Sequence, residues 1–98
     1  MSGDYKESVK EIMERLISER EILKAAEIRQ REEFIPAQEK ADALWNAVKH
    51  NAYDDIEKLD LDIKRANAFI DAWENYKQCA LYRLSIAKLE GKLKEVEG

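Results

Sequence analysis

Residues 54–96 read DDIEKLDLDIKRANAFIDAWENYKQCALYRLSIAKLEGKLKEV. Apolar side chains return at every third or fourth position of this stretch for about nine turns, which places them on one face of an α-helix. The polar residue Lys77 interrupts the series. The apolar members are Ile56, Leu59, Ile63, Ala66, Ile70, Trp73, Ala80, Leu84 and Ala87. The stretch therefore predicts one long helix, over residues 54–96, that buries this stripe against a neighbouring helix.

The first third of the chain carries the same periodicity. Asp4 with Glu7 three positions later forms a capping-box pattern, which marks the first turn of a helix. The pattern fades among the charged residues 29–33. We therefore predict a helix over residues 4–33. Its apolar side chains are Tyr5, Val9, Ile12, Met13, Leu16, Ile17, Ile22, Leu23, Ala26 and Ile28.

Two breaks separate these helices. Proline lacks a backbone N–H and clashes with the preceding turn, so Pro36 either kinks the helix or starts a new one. A second helix is predicted over residues 36–50, with Ala41, Leu44, Trp45 and Val48 on one face. Asn51 favours a helix end, and Asp54 with Glu57 repeats the capping box. An uninterrupted helix from residue 37 onward is the less favoured alternative.

These elements predict an all-α single domain over residues 1–98, with helices at about 4–33, 36–50 and 54–96. Three glycines and one proline in 98 residues leave few turns, so the elements must be few and long. Two arms of similar length joined near residue 51 form a long antiparallel helical hairpin, with coiled-coil-like packing. The alternative is a three-helix bundle in which Pro36 forms a true corner.

The apolar surface of residues 66–89 is wider than one partner helix can cover. A single helix covers an arc of roughly 100°, and soluble monomers rarely expose large apolar patches. We therefore expect self-association, as a dimer or higher oligomer, or binding to another protein. Trp and Tyr dominate protein–protein interfaces, although Trp73 also fits a core position on the stripe. The predicted partner-binding residues are Trp45, Phe69, Trp73, Tyr76 and Tyr82.

The composition narrows the functional classes. Charged residues make up 39% of the chain and the net charge is −4, with acidic and basic residues mixed, so we do not expect nucleic-acid binding. One cysteine, Cys79, excludes an internal disulfide and favours a reducing compartment. The sequence shows no signal peptide and no apolar run long enough to span a bilayer. We expect a cytoplasmic protein without membrane association.

The residues that usually carry catalysis or bind cofactors are scarce. His50 is the only histidine and falls where a helix should end, so a capping role is favoured over catalysis. Cys79 is expected in the core as a small apolar residue. No nucleotide-binding or serine-hydrolase motif is present. We therefore expect a non-catalytic protein, with no cofactor and no metal site.

One carboxylate pattern carries an alternative hypothesis. Glu39-x-x-Asp42 and Glu57-x-x-Asp60 lie on consecutive predicted helices, where i,i+3 carboxylates project together and can hold Mg²⁺. The spacing resembles the E-x-x-E and E-x-x-D motifs of all-helical nucleoside triphosphate pyrophosphohydrolases of the MazG type, with Asp42 in place of a glutamate. That resemblance implies a Mg²⁺-dependent hydrolase. A further alternative is a small acidic inhibitor or regulator that binds another macromolecule.

Overall fold

The computed structural model describes residues 8–50 and 55–97, and all secondary structure in this part of the chain is helical. Helix α1 spans Val9–Arg29, a π-helix spans Gln30–Phe34, α2 spans Ile35–Val48 and α3 spans Asp55–Glu97. The prediction of an all-α protein is confirmed. An uninterrupted helix through residue 50 is wrong, because α2 ends at Val48 and residues 49–50 form a turn.

Helix α1 begins later than predicted. Ser8 precedes it, and the Ser8 hydroxyl oxygen accepts a hydrogen bond from the Glu11 N–H at 3.1 Å. This side chain satisfies one of the N–H groups that the first turn leaves without a helical partner. Ser8-x-x-Glu11 is itself a capping-box sequence. The predicted cap pair, Asp4 and Glu7, lies outside the described residues.

The π-helix joins α1 to α2 without a corner. The Ile35 N–H donates to the Gln30 carbonyl five residues earlier, and the flanking residues Arg29 and Ile35 have right-handed helical backbone angles. Pro36 occupies the first turn of α2, where its missing N–H and its ring would conflict with an α-helical bond to the residue four positions before. The wider π-turn resolves this conflict. The three-helix bundle with Pro36 as a corner is therefore wrong.

The chain forms two compact units. The terminal unit joins the chain up to Ala26 with the chain from Gln78 onward, and the central unit is Glu27–Lys77. In the terminal unit, α1 and the C-terminal part of α3 bury an apolar cluster, and Arg20 and Glu90 form an exposed ion pair at 2.7 Å. The cluster comprises Ile12, Leu16, Ile86 and Leu89, with Leu23 and Leu93 packed against it.

In the central unit, α3 runs antiparallel to the π-helix and α2. Asn75 contacts Gln30, whereas Arg65, ten residues earlier, lies over Trp45. Most of the buried or half-buried positions of α3 in this unit repeat with spacings of three and four, and Asp62 is half-buried beside them. The repeating positions are Lys58, Leu61, Arg65, Ala68, Ala72 and Asn75, and we call them the inner face of α3.

The predicted stripe of α3 is not the buried one. Its large members Ile56, Leu59, Ile63, Ile70, Trp73 and Leu84 are all exposed. The face of α3 that packs in the central unit carries alanines and polar groups instead, among them Ala68, Ala72 and Asn75. Small side chains let two helices approach closely, and the Asn75 amide is matched by a partner on the π-helix. Apolar content alone therefore selected the wrong face.

Candidate interaction surface

The central unit presents one continuous apolar face that nothing in the described chain covers. We call it the outer face of α3. Its large members range from 49% exposed at Ile70 to 74% exposed at Ile56, and Trp73 is 61% exposed. The face comprises Ile56, Leu59, Ile63, Ala66, Ile70 and Trp73.

The outer and inner faces lie on nearly opposite sides of the same helix. The outer positions follow spacings of three, four, three, four and three, and the inner positions follow the same spacings displaced by two residues. Two residues correspond to roughly 200° around an α-helix. Helix α3 of the central unit therefore has one face that packs within the unit and, on the opposite side, an exposed apolar face.

Two further aromatic side chains flank the outer face. Phe69 and Tyr76 are both about half exposed. The rings of Trp73 and Tyr76 stack with their centroids 5.4 Å apart and their planes at 18°. The stacked rings form one aromatic surface beside the outer face.

The outer face and its flanks expose more apolar surface than a typical soluble monomer. The five large side chains of the outer face, together with Phe69 and Tyr76, expose roughly 800 Å² of surface. This value takes about 200 Å² for a fully exposed large side chain. The largest apolar patch of an ordinary monomer is about 300–600 Å², and it is often functional. This area makes the outer face of α3 the strongest candidate site in the described chain.

The five predicted partner-binding residues fall in different environments. Phe69, Trp73 and Tyr76 lie together at the outer face. Trp45 is half-buried on α2, with the Arg65 guanidinium 5.1 Å above its ring, so a cation–π contact already occupies one side of the indole. Tyr82 is half-buried in the terminal unit and lines a shallow cleft.

The aliphatic half of the outer face was missing from the predicted site. Their periodicity predicts Ile56, Leu59 and Ile63 in the hairpin core, packed against the first arm. The series from Lys58 to Asn75 contains one large apolar residue, Leu61, so hydrophobicity in the sequence does not indicate that α3 packs on that side.

A polar layer inside the central unit was also not anticipated. The Asn75 side-chain amide donates to the Gln30 Oε1 at 2.8 Å, and the Gln30 amide donates to the Ala72 carbonyl at 3.0 Å. Asn75 is the buried polar residue of the described core. Buried polar groups of this kind fix the register between two helices, because sliding one helix would leave the amides without partners.

The carboxylates of the pyrophosphohydrolase alternative are not gathered into a site. Among the described residues, no three His, Cys, Asp or Glu side chains are placed to hold a metal ion together. Asp60 forms an ion pair with Lys64 at 3.0 Å, whereas Glu39 and Glu57 are exposed. Asp42 lines a shallow cleft beside Arg65 and Phe69.

The two other residues whose side chains could take part in catalysis belong to different units, Cys79 to the terminal unit and His50 to the central unit. Cys79 is buried, as predicted for a small apolar core residue. His50 is exposed in the turn that follows α2. We find no arrangement of these residues with a neighbouring acid or base that would activate either of them in the described part of the chain.

Comparisons of the chain with protein-family models, with curated proteins and with solved structures find no match. The physical features of the outer face therefore carry the functional argument. Within residues 8–50 and 55–97, no helix is long and apolar enough to cross a membrane.

Proposed function

We propose that this protein is a non-catalytic helical assembly module that associates with itself through the outer face of α3. The observation that carries the proposal is the apolar face of Ile56, Ile63, Ile70 and Trp73, which repeats with helix-packing periodicity and lies exposed. Exposed apolar area of this size costs free energy in water, and association removes that cost.

The periodicity favours a helical partner. A coiled-coil seam repeats with spacings of three and four, and side chains so placed insert between those of a facing helix. A flat or irregular partner would not require six consecutive positions with this spacing. The chain itself supplies such a helix in every copy, and twofold dimers are the commonest oligomers.

The test compares two substitutions of the same kind. Ile70 and Leu44 are both 49% exposed in the central unit, but Ile70 belongs to the outer face and Leu44 lies on α2. Ile70→Glu removes apolar burial worth about 1–2 kcal/mol per copy, at about 25 cal/mol per Å². Because a symmetric dimer carries the substitution twice, Kd should rise roughly 30- to 1,000-fold.

Light scattering coupled to size-exclusion chromatography reads out the result. We expect an oligomer for the unmodified chain and for Leu44→Glu, and a monomer for Ile70→Glu. Circular dichroism must show equal helix content in all three proteins. An Ile70→Glu protein that keeps the full oligomeric mass would contradict the assignment of the outer face. Equal losses of mass in both variants would contradict it as well.

A further inference from the structure

We infer that the occupant of the outer face is a second copy of the chain, with its α3 antiparallel and Ile56 of each copy facing Trp73 of the other. This inference rests on the proposed function and adds the identity, orientation and register of the partner. Three properties of the central unit support it, namely the exposed area, the side-chain volumes along the face and the charges that flank it.

The area suits a twofold dimer. Two copies that each cover most of their roughly 800 Å² of exposed large side chains bury about 1,200–1,600 Å² together. Stable specific interfaces bury about 1,200–2,000 Å² in total. A second copy therefore supplies enough surface without a contribution from another protein.

The side-chain volumes favour the antiparallel orientation. In that arrangement Ile56 faces Trp73, Leu59 faces Ile70, and Ile63 faces Ala66 of the other copy. No layer then pairs two identical residues. At the centre, Ala66 of each copy faces Ile63 of the other, so a small side chain meets a large one. A parallel pair in register would place Ala66 against Ala66 and Trp73 against Trp73, which leaves a gap at one layer and crowding at another.

The flanking charges favour the same orientation. The positions that flank the apolar seam meet across a parallel pair. Asp55 of each copy then lies beside Asp60 of the other, so two like-charge contacts form at one end. In the antiparallel register, Asp55 lies beside Tyr76, Asp60 beside Asn67, and Asp62 beside Phe69. No like charges meet in that list, because the acidic side chains of Asp55, Asp60 and Asp62 face the uncharged side chains of Tyr76, Asn67 and Phe69.

The antiparallel pair leaves the intramolecular packing in place. The outer face lies opposite the inner face, so the Gln30–Asn75 layer and the Arg65–Trp45 contact stay covered as they are. In the central unit, each α3 would then lie between its own α2 and the α3 of the second copy.

Cysteine cross-linking separates the two orientations. All variants carry Cys79→Ala, so that the introduced cysteines are the reactive ones. One mixture combines Asp60→Cys with Asn67→Cys chains, a pair that is adjacent only in the antiparallel register. The matched control combines Asp60→Cys with Asp55→Cys chains, a pair that is adjacent only in a parallel dimer. The two chains carry different affinity tags, and a short bis-maleimide reagent is the cross-linker.

We expect a cross-linked species with both tags in the first mixture and only background in the control. If the control cross-links and the first mixture does not, the dimer is parallel and this inference is wrong, although the proposed function stands. If neither mixture cross-links while sedimentation shows a dimer, the orientation and register are wrong. A monomer at all concentrations would overturn the proposed function itself.

The experiment can also be carried out in a background that retains Cys79. If Cys79→Ala lowers helix content, the same pairs are made in the native background, where Cys79 is buried and shielded from the reagent. The expected and contradicting outcomes are unchanged in that background. The double variant Asp60→Cys/Asn67→Cys adds a further check, because the antiparallel dimer should link at two symmetric places and migrate as one dimer on denaturing gels.

Discussion

The polar layer of the central unit gives a sharp energetic prediction. Gln30→Leu removes the acceptor of the Asn75 amide, whose hydrogen bond is 2.8 Å long, and also the bond from Gln30 to the Ala72 carbonyl at 3.0 Å. Asn75 is only 9% exposed, so its amide cannot turn to water without disturbing the packing. Loss of a hydrogen bond from a buried polar group costs about 1–3 kcal/mol.

The magnitude follows from two opposing contributions. The new leucine recovers part of the loss by burying apolar surface, so we expect Gln30→Leu to lower the free energy of unfolding by about 1–2 kcal/mol. For a chain of this size, that lowers Tm by about 5–15 °C. Asn75→Leu should have a similar effect, because the side-chain Oε1 of Gln30 loses the hydrogen bond from Asn75. The double variant removes both groups and should lie near the unmodified protein, with a coupling energy of about 2–4 kcal/mol.

Urea unfolding, monitored by circular dichroism, gives the free energy of unfolding of the unmodified chain, the two single leucine variants and the double variant. All measurements use one protein concentration, because association adds to the apparent stability. The variant pair Gln30→Asn/Asn75→Gln serves as a control that retains two amides. If the two single effects simply add in the double leucine variant, the amides do not act as one layer and our account of the register is refuted.

Three further predictions concern helix packing. Deleting Glu32 should convert the π-helix to α-helix and lower Tm in thermal melting, because the ring and missing N–H of Pro36 then meet an α-helical turn, and adding Pro36→Ala should restore Tm; equal Tm values for the Glu32 deletion with and without Pro36→Ala would contradict the role of the π-turn. Ile12→Ala should cost about 2–5 kcal/mol in urea unfolding, because the side chain is 1% exposed, and a loss below about 1 kcal/mol would place it outside the core. Glu19→Leu should raise Tm, because the Glu19 Oε1 is buried without a hydrogen-bond partner, and a lower Tm would show that this carboxylate stabilises the terminal unit.

Helix content was predictable because it depends on local periodicity and few breakers. The face that each helix buries was not, because burial depends on the partner. In α3, the large side chains of Ile63 and Ile70 outweigh Ala68, Ala72 and Asn75 in any ranking by hydrophobicity. Close approach and a matched amide decide the inner face instead, and the amide match becomes visible only when Gln30 and Asn75 are considered together.

The π-helix is visible in the spacing of half-buried positions in the structure, but the hydrophobic periodicity of the sequence does not reveal it. The half-buried positions of the first arm in the central unit include two consecutive spacings of four, between Gln30 and Phe34 and between Phe34 and Gln38. One extra residue in a repeat of three and four must be absorbed by a wider turn or by a rotated face. Pro36 indicates where the helix of the first arm is perturbed. Its presence alone is compatible with a kink, a new helix start or a corner.

The candidate site was predicted in part. The aromatic residues Phe69, Trp73 and Tyr76 were identified because Trp and Tyr are frequent at interfaces, and they do lie exposed together. Trp45 and Tyr82 have the same residue types, but Arg65 covers Trp45 and the terminal unit half-buries Tyr82. Residue type therefore suggests an interface anchor, whereas exposure depends on contacts between distant parts of the chain.

The most direct test of self-association is the mass of the unmodified protein in solution as its concentration is varied. Sedimentation equilibrium should give a mass that rises from the 11.4 kDa of one chain toward twice that value and then stays constant, as a closed twofold dimer requires. A mass of 11.4 kDa at every concentration would contradict the account, because the outer face of α3 would then remain in water.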